Sequence, residues 1–560
     1  MIPIGEISSD SISPVEVEVF RHLFTALSEE MGASLRRTAF SPNIKERRDY
    51  SCALFSPNGH PVAQGDHMPV HLGAMPMSVS AALSALGRLD PGDVAVLNDP
   101  FEGGTHLPDI NLATPVYLMG ELQGFVCNIA HHADVGGMAP GSMAGGMSEI
   151  YQEGLRIPVI RLFKKGELQQ DILDLLLLNV RVPIERRGDY FAQISACRLG
   201  ERRLLEVINT YDPQTIQQAF REIIQRTNRR MGDSIESIPD GVYEFTDLMD
   251  GDGLGDFDLP ICLRVTVSNR QATFDFTGTV KQVNGNINTT LNATQASVCY
   301  GVKALLDPDV PNNQGVLDSV EIIAPEGTLV NSVFPAPVAA RANTCQRIID
   351  VVLGALSKAF PEKTIAAANG ANTTAVFSGI DPRTSEPYLY LETLGGGMGA
   401  RATKDGKDGV QVHITNTSNL PIEAIEMEYP LLVEEYSLDS DSAGAGQYRG
   451  GMGLRRTVRP RNHECTFNGA GERFRHQPWG VFGGEPGASG RFLHRDEQGI
   501  DHRIDDKPNH LHVFPSDLVI IETPGAGGYG PPKKRKRALL YEDKRSGKFS
   551  ESYLKKYYEF

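Results

Sequence analysis

Between Asn98 and Gly137 the chain reads NDPFEGGTHLPDINLATPVYLMGELQGFVCNIAHHADVGG. His106, His131 and His132, three of fourteen histidines, fall here with Asp99, Glu102, Asp109 and Asp134. His106 and Asp109 stand three apart, just after Gly103-Gly104. That spacing predicts two side chains on one face of a helical turn. The run from Gln123 to Ala130 is mostly apolar and ends in His131-His132. A buried strand with ligands at its mouth has this pattern. Imidazole nitrogen with carboxylate oxygen suits zinc, manganese or iron(II). The chemistry suggested is a mononuclear metal site of His106, Asp109 and His131. Aspartate and histidine beside glycine also fill ordinary turns and helix caps, and residue types alone leave both readings open.

Further candidates lie on either side. Asp49 stands where a charged loop, NIKERRD, enters a strand, and reads equally as a further ligand or a solvated carboxylate. After Gly137 comes MAPGSMAGGMSEIYQEGLRIP, a glycine- and methionine-rich loop that brings Glu149, Glu153 and Arg156. Such a loop beside a polar site is either a substrate-positioning lid or a plain connection. In an extended strand His131 and His132 point to opposite faces, so one of the two ligates.

The elements that must position these residues are partly readable. Val15, Val17, Phe20, Leu23, Leu27, Met31 and Leu35 follow a helical period, with Ser13 as cap and Pro14 at the first helical position. Residues 50–55 and 60–64 predict a hairpin across Pro57-Asn58-Gly59. A helix follows over 68–86 and a buried strand over 94–97. Residues 170–235 read as helical. From Gly241, alternating segments predict an antiparallel meander, then an Asn-rich turn, a helix, short strands at 320–323 and 328–333, and a strong helix over 342–360. Strands dominate 364–440, with His413 in one of them. Pro-Gly turns and short strands continue to Gly530. The tail begins KKRKR at Lys533 and predicts a partly ordered segment contacting a neighbouring subunit. The fold class is α+β, multi-domain and mixed: an N-terminal α/β region with the metal site and a helical segment (1–235), a mixed middle (236–440), a β-rich part (441–530) and a basic tail (531–560).

Composition narrows the function classes. The chain has 560 residues, 40% hydrophobic and 22% charged, as a globular protein does. Its net charge of −16 argues against general nucleic-acid binding. No apolar run reaches the ~20 residues of a membrane span, and the polar, acidic N-terminus has no signal-peptide pattern. Seven scattered cysteines form no C-x-x-C pair, the pattern of buried reduced thiols. Cytoplasmic localisation is expected. No G-x-x-x-x-G-K-[ST] or G-x-S-x-G occurs, and the glycine-rich runs lack a strand–turn–helix context. The chain therefore shows no site of its own for ATP phosphates and no serine nucleophile.

The segments NDPFEGGTHLPDINLATPVY, IAHHADVGGMAPGSM, EIYQEGLRIP, GNINTTLNATQASVCY, LPIEAIEMEYPLLVEEY and DSAGAGQYRGGMGLRR resemble the hydantoinase B / 5-oxoprolinase family, from about Pro14 to Gly530. The resemblance implies a B subunit that works with an ATP-binding A subunit to open a cyclic amide such as 5-oxoproline, a hydantoin or a lactam. It implies one divalent metal (Zn, Mn or Fe) on His106, Asp109 and His131, with Asp49 matching an aspartate that takes part in lactam-opening relatives. His132, Asp134 and Glu149 are then the catalytic or supporting candidates, and Glu153 and Arg156 the substrate contacts. ATP would sit on the A subunit, in an A2B2 assembly. Ketone-carboxylase alpha-type subunits are the alternative within the family, and a non-catalytic scaffold is the alternative outside it. The tail to Phe560 departs from the family's usual end.

Overall fold

The computed structural model describes residues 12–65 and 67–560; the N-terminal stretch read above for a signal peptide lies largely outside them. Its first layer is a seven-stranded sheet. The strands are β1 (Tyr50–Phe55), β2 (Pro61–Gln64), β3 (Val94–Leu97), β4 (Asp109–Leu118), β5 (Glu121–His131), β6 (Ile160–Lys164) and β7 (Glu167–Leu168), in the order β2-β1-β5-β4-β3-β6-β7. Every neighbouring pair is antiparallel. Both faces are buried. Cys52, Leu54, Leu112, Val126 and Ala130 pack on one side with Phe20, Phe24, Leu204 and Phe220. Those partners come from helices α1 (Pro14–Thr38), α5 (Pro183–Tyr211) and α6 (Pro213–Glu236). Ala53, Phe55, Ala113, Phe125, Cys127 and Ile129 pack on the other side against α3 (His71–Leu86). Burial on both faces explains why these strands read as near-continuous apolar runs. Two short helical pieces, α2 (Pro42–Lys45) and α4 (Gln170–Leu178), complete this part. α1 starts as its sequence predicts: Ser13 and Glu16 form a reciprocal capping box, with proline in the first turn.

A second sheet holds β8 (Gly241–Gly251), β9 (Phe257–Ser268) and β10 (Gln271–Asp275) as an antiparallel meander, with β11 (Glu321–Ile323) parallel to β10. It packs on α7 (Leu291–Leu306) and on α9 (Arg341–Leu356), which follows the one-turn α8 (Gln314–Leu317). All sixteen residues of α9 are buried. Arg341, its first residue, faces the N-terminal sheet. Beyond it, a four-stranded and a five-stranded sheet share a core that includes Phe377, Tyr390, Phe467, Phe492 and Ile521.

Several local expectations are corrected. His106 and Asp109 do not share a helical turn. Pro108 disfavours helix at the residue before it, and the Asp109 N–H closes a tight turn on the His106 carbonyl at 3.1 Å before β4 begins. Residues 328–333 form a turn, closed by Asn331 N–H on the Thr328 carbonyl, rather than a strand. His413 is not in a strand: its φ is +52°, in the left-handed region. The basic tail packs on its own chain. Residues 537–545 and 551–558 are helical, and Leu540, Phe549, Tyr553, Leu554 and Tyr558 cover Ala443, Ala445 and Met452. Arg535 is buried there between Asp405 and Asp543, at 2.8 Å from each. No described helix is long and apolar enough to cross a membrane.

Candidate metal centre

Register brings the first two residues together. Asp109, at the start of β4, is directly opposite His131, at the end of β5. Asp109, Asn111 and Ala113 alternate onto the α3 face, where Ser78 of α3 bonds the Asn111 side chain at 3.0 Å. His106 comes from the turn just before. The loop that feeds this turn needs Gly104, where a Cβ would collide with the Asn98 carbonyl. One ligand atom each from His106, Asp109 and His131 lies within 4.8 Å of the other two, and all three residues are buried. Asp109 Oδ1 is 3.1 Å from His106 Nε2 and 3.3 Å from His131 Nδ1.

The hydrogen bonds decide what these atoms can do. His106 Nδ1 is 2.9 Å from the Ala339 carbonyl oxygen. A carbonyl only accepts, so Nδ1 carries the proton and neutral His106 presents a lone pair at Nε2. That lone pair faces Asp109 Oδ1, another acceptor. The pair requires a positive charge between them. Burial disfavours supplying it as a proton, since desolvation pushes His106 down to about 4. Burial works the other way on Asp109, and its neighbours, His106 first, override it and hold the carboxyl well below the usual range. His131 Nε2 is buried with no hydrogen-bond partner. Two opposed acceptors and one orphaned imidazole nitrogen fit a divalent cation, which takes lone pairs and needs no donor.

The second oxygen of Asp109 is held by residues that the sequence reading missed. Arg341 Nη2 donates to Oδ2 at 2.6 Å, Thr105 Oγ1 donates at 2.5 Å, and His71 Nε2 lies at 3.6 Å. Arg341 is 232 residues from Asp109, and nothing in local spacing points to it. His71 opens α3 inside an apolar run.

The other predicted residues are placed as follows. Asp49 lines the same small cavity, about 40 Å³, with His71, His106, Asp109, His131 and Arg341. Its backbone carbonyl accepts from the His131 N–H at 3.0 Å, but its carboxylate stands outside the compact three-residue cluster. His132 points to the opposite face of the sheet: Nε2 is 2.9 Å from Gln193 Oε1 and the ring packs on Tyr190. Burial lowers His132 to about 4. Asp134 binds the N–H groups of Gly136, Gly141 and Arg181 and the Arg181 guanidinium, organising a loop. Glu149 is exposed and caps a 3-10 turn with Gln152. Arg156 pairs with Asp99 at 2.6 Å and lies over Phe334. None of these four lines the cavity. Glu153 is fully buried, and its Oε1 accepts from the Ala339 N–H at 2.7 Å. It stands behind the residue that anchors His106, and burial raises its carboxyl well above the usual range.

The chain matches the model of the family described as Hydantoinase B/oxoprolinase over residues 13–532. It is 40% identical over 542 residues to an uncharacterized protein of Methanocaldococcus jannaschii, covering 96% of this chain and 94% of that one. It is 36% identical to 5-oxoprolinase 1 of Arabidopsis thaliana, covering 92% of this chain but 42% of that protein. Against caprolactamase subunit beta of Pseudomonas jessenii it is 32% identical over 96% of this chain and 94% of that subunit. The crystal structure of the ATP-dependent caprolactamase from that organism superposes with a TM-score of 0.91 at 30% identity, covering 97% of this chain and 96% of that chain. A nucleotide-free structure of acetone carboxylase shares the fold, with a TM-score of 0.89 at 19% identity, covering 98% of this chain and 79% of that chain.

Proposed function

The chain belongs to the hydantoinase B/oxoprolinase family, and we propose that it is the metal-bearing B subunit of an ATP-dependent cyclic-amide hydrolase. The observation that carries this reading is the opposed pair His106 Nε2 and Asp109 Oδ1, 3.1 Å apart, with the unpartnered His131 Nε2 beside it. His106, Asp109 and His131 would hold one divalent metal, zinc, manganese or iron, with Asp49 at the cavity wall as a further donor. When bound, the metal supplies Lewis acidity, polarising a carbonyl oxygen and lowering the pKa of a water towards about 7.

The protein's own residues do the rest. Ala339 fixes the His106 tautomer, so that Nε2 stays a donor of electron pairs. Arg341 and Thr105 occupy Asp109 Oδ2 and leave Oδ1 to face the imidazoles. His71 is the fourth imidazole or carboxylate group against the cluster, held at Nδ1 by Ser51 Oγ at 2.8 Å. His132, Asp134, Glu149 and Arg156 support the fold around the site.

ATP enters through a partner. Its relative in Pseudomonas jessenii is named as a subunit beta, and this chain carries no phosphate-binding glycine loop of its own. An amide carbonyl is a poor electrophile, and phosphorylation of its oxygen by an A-type subunit would remove that obstacle. A2B2 is the proposed assembly, in the cytoplasm.

The test is the reconstituted A–B complex, assayed for ATP hydrolysis with 5-oxoproline, hydantoins, lactams, and acetone plus bicarbonate. ATP turnover dependent on one cyclic amide is the expected result. Turnover dependent on acetone and bicarbonate would assign the carboxylase reaction instead. Full activity in a His106→Ala complex would sink the metal reading and leave a scaffold.

A further inference from the structure

The metal cavity, at about 40 Å³, is far smaller than the ~300–1,000 Å³ of small-molecule sites. Next to it is a cavity of about 440 Å³, within the range of small-molecule sites. The wall between them is one residue thick. Met68, Val70 and Ile414 line the metal cavity, Pro69 and His413 line the larger one, and Thr415 lines both. The two wall segments are tied by the Val70 N–H on the Ile414 carbonyl.

The lining of the larger cavity is unlike the chain as a whole. The chain carries 70 acidic residues against 54 Lys and Arg, yet among the described residues no Asp or Glu lines this cavity, while Lys363, Arg401 and Lys407 do. None of the three makes an ion pair among the described residues. Arg401 Nε is buried without a hydrogen-bond partner, and the Lys363 ammonium lies 5.1 Å from the Phe360 ring centre, a contact that leaves its charge unneutralised. Leu305, Leu353, Ile365 and Val412 supply apolar wall. His413, in left-handed backbone that disfavours a residue with a side chain, is held there by Asp350 at 3.1 Å. Asp350 is held in turn by Arg473 at 2.7 Å.

We propose that this cavity is a binding chamber for a small molecule with an anionic head, carboxylate or phosphoryl, and an apolar body, the head taken by Arg401, Lys363 and Lys407. Three cations that line the cavity without an ion-pair partner among the described residues complement an anion, and the shared wall sets the body of that molecule beside the metal cavity. Delivery of the bound molecule to the metal rests on the proposed function; binding of the anion does not.

The test is calorimetric titration of the full chain at low salt with inorganic phosphate and, separately, with hexanoate. Saturable one-to-one binding of at least one probe is expected. Arg401→Met and the exposed-site variant Lys407→Met should each loosen it by about tenfold or more, as loss of a charge-assisted hydrogen bond does. Binding of phosphate alone assigns a phosphoryl head, hexanoate alone a carboxylate, and both a site for either. Failure of both probes to bind, or affinity unchanged in both variants, overturns the chamber. The same titration on His106→Ala separates the two readings: retained binding there keeps the chamber whatever becomes of the metal.

Discussion

Glu153 and His106 hold opposite ends of one residue: the Ala339 N–H donates to Glu153 Oε1 at 2.7 Å, and the Ala339 carbonyl accepts from His106 Nδ1 at 2.9 Å. Groups that fix a metal-ligating histidine from behind affect metal affinity about 10- to 100-fold. Glu153→Ala should therefore weaken metal binding by that factor, although residue 153 is no ligand. Glu153→Gln keeps an acceptor for Ala339 and should bind metal within a few-fold of the parent. Competition with a chromogenic chelator checks both.

The same glutamate gives the protein a pH dependence. Its folded pKa is raised, by burial first. Above the unfolded value near 4.5 the native state therefore holds a proton that the unfolded chain has lost, and stability falls as pH rises. Glu153→Gln removes that slope. Its stability relative to the parent should rise by about 1.4 kcal/mol per pH unit above pH ~5, for as long as native Glu153 keeps its proton. Urea unfolding at pH 5 and pH 7 reads the difference, and parallel curves would contradict it.

Adjacent histidines should separate cleanly. His131→Ala should lose stoichiometric metal, because its ring stands against Asp109, with Nδ1 3.3 Å from Oδ1 and a buried Nε2 that has no hydrogen-bond partner. His132→Ala should keep the metal and lose stability instead, by about 1–3 kcal/mol, since the buried Gln193 Oε1 loses its partner. Metal analysis by mass spectrometry, with thermal unfolding of each variant, distinguishes the two effects.

Removing residues 531–560 should destabilise the body of the protein. A solvated tail would come off without effect. This one covers Ala443, Ala445 and Met452 and neutralises Asp405 through the buried Arg535. Tyr553→Ala alone should cost about 2–4 kcal/mol, as truncation of a large core side chain does. Thermal unfolding and aggregation of the shortened chain test this.

Much of the frame was legible because it rests on local pattern. α1 showed its period and its cap, β1 and β2 showed their hairpin, and the runs of β3 and β5 showed buried strands. The ligand types of the site were legible too, but for a different geometric reason. His106 and Asp109 meet across a turn and a strand start rather than on a helix, and antiparallel register, which residue spacing does not encode, sets His131 against Asp109. Arg341, Ala339 and His71 were invisible because their proximity is tertiary: α9 is delivered to the N-terminal sheet only by packing. His413 misread as a strand residue because Val412 and Ile414 flank it in alternation, while its backbone is bent back by the bond to Asp350.

The 233 residues between His106 and its anchor Ala339 also set a timetable. Asp109 and His131 belong to one hairpin and can pair soon after both have left the ribosome. At ~5–20 residues per second, the carbonyl that orients His106 arrives roughly 10–50 seconds later. Until then the nascent chain carries an incomplete ligand set with a freely turning imidazole. On the metal reading, an ion captured in that interval would be held loosely and would exchange, and the choice of metal would fall late, when α9 closes over the hairpin.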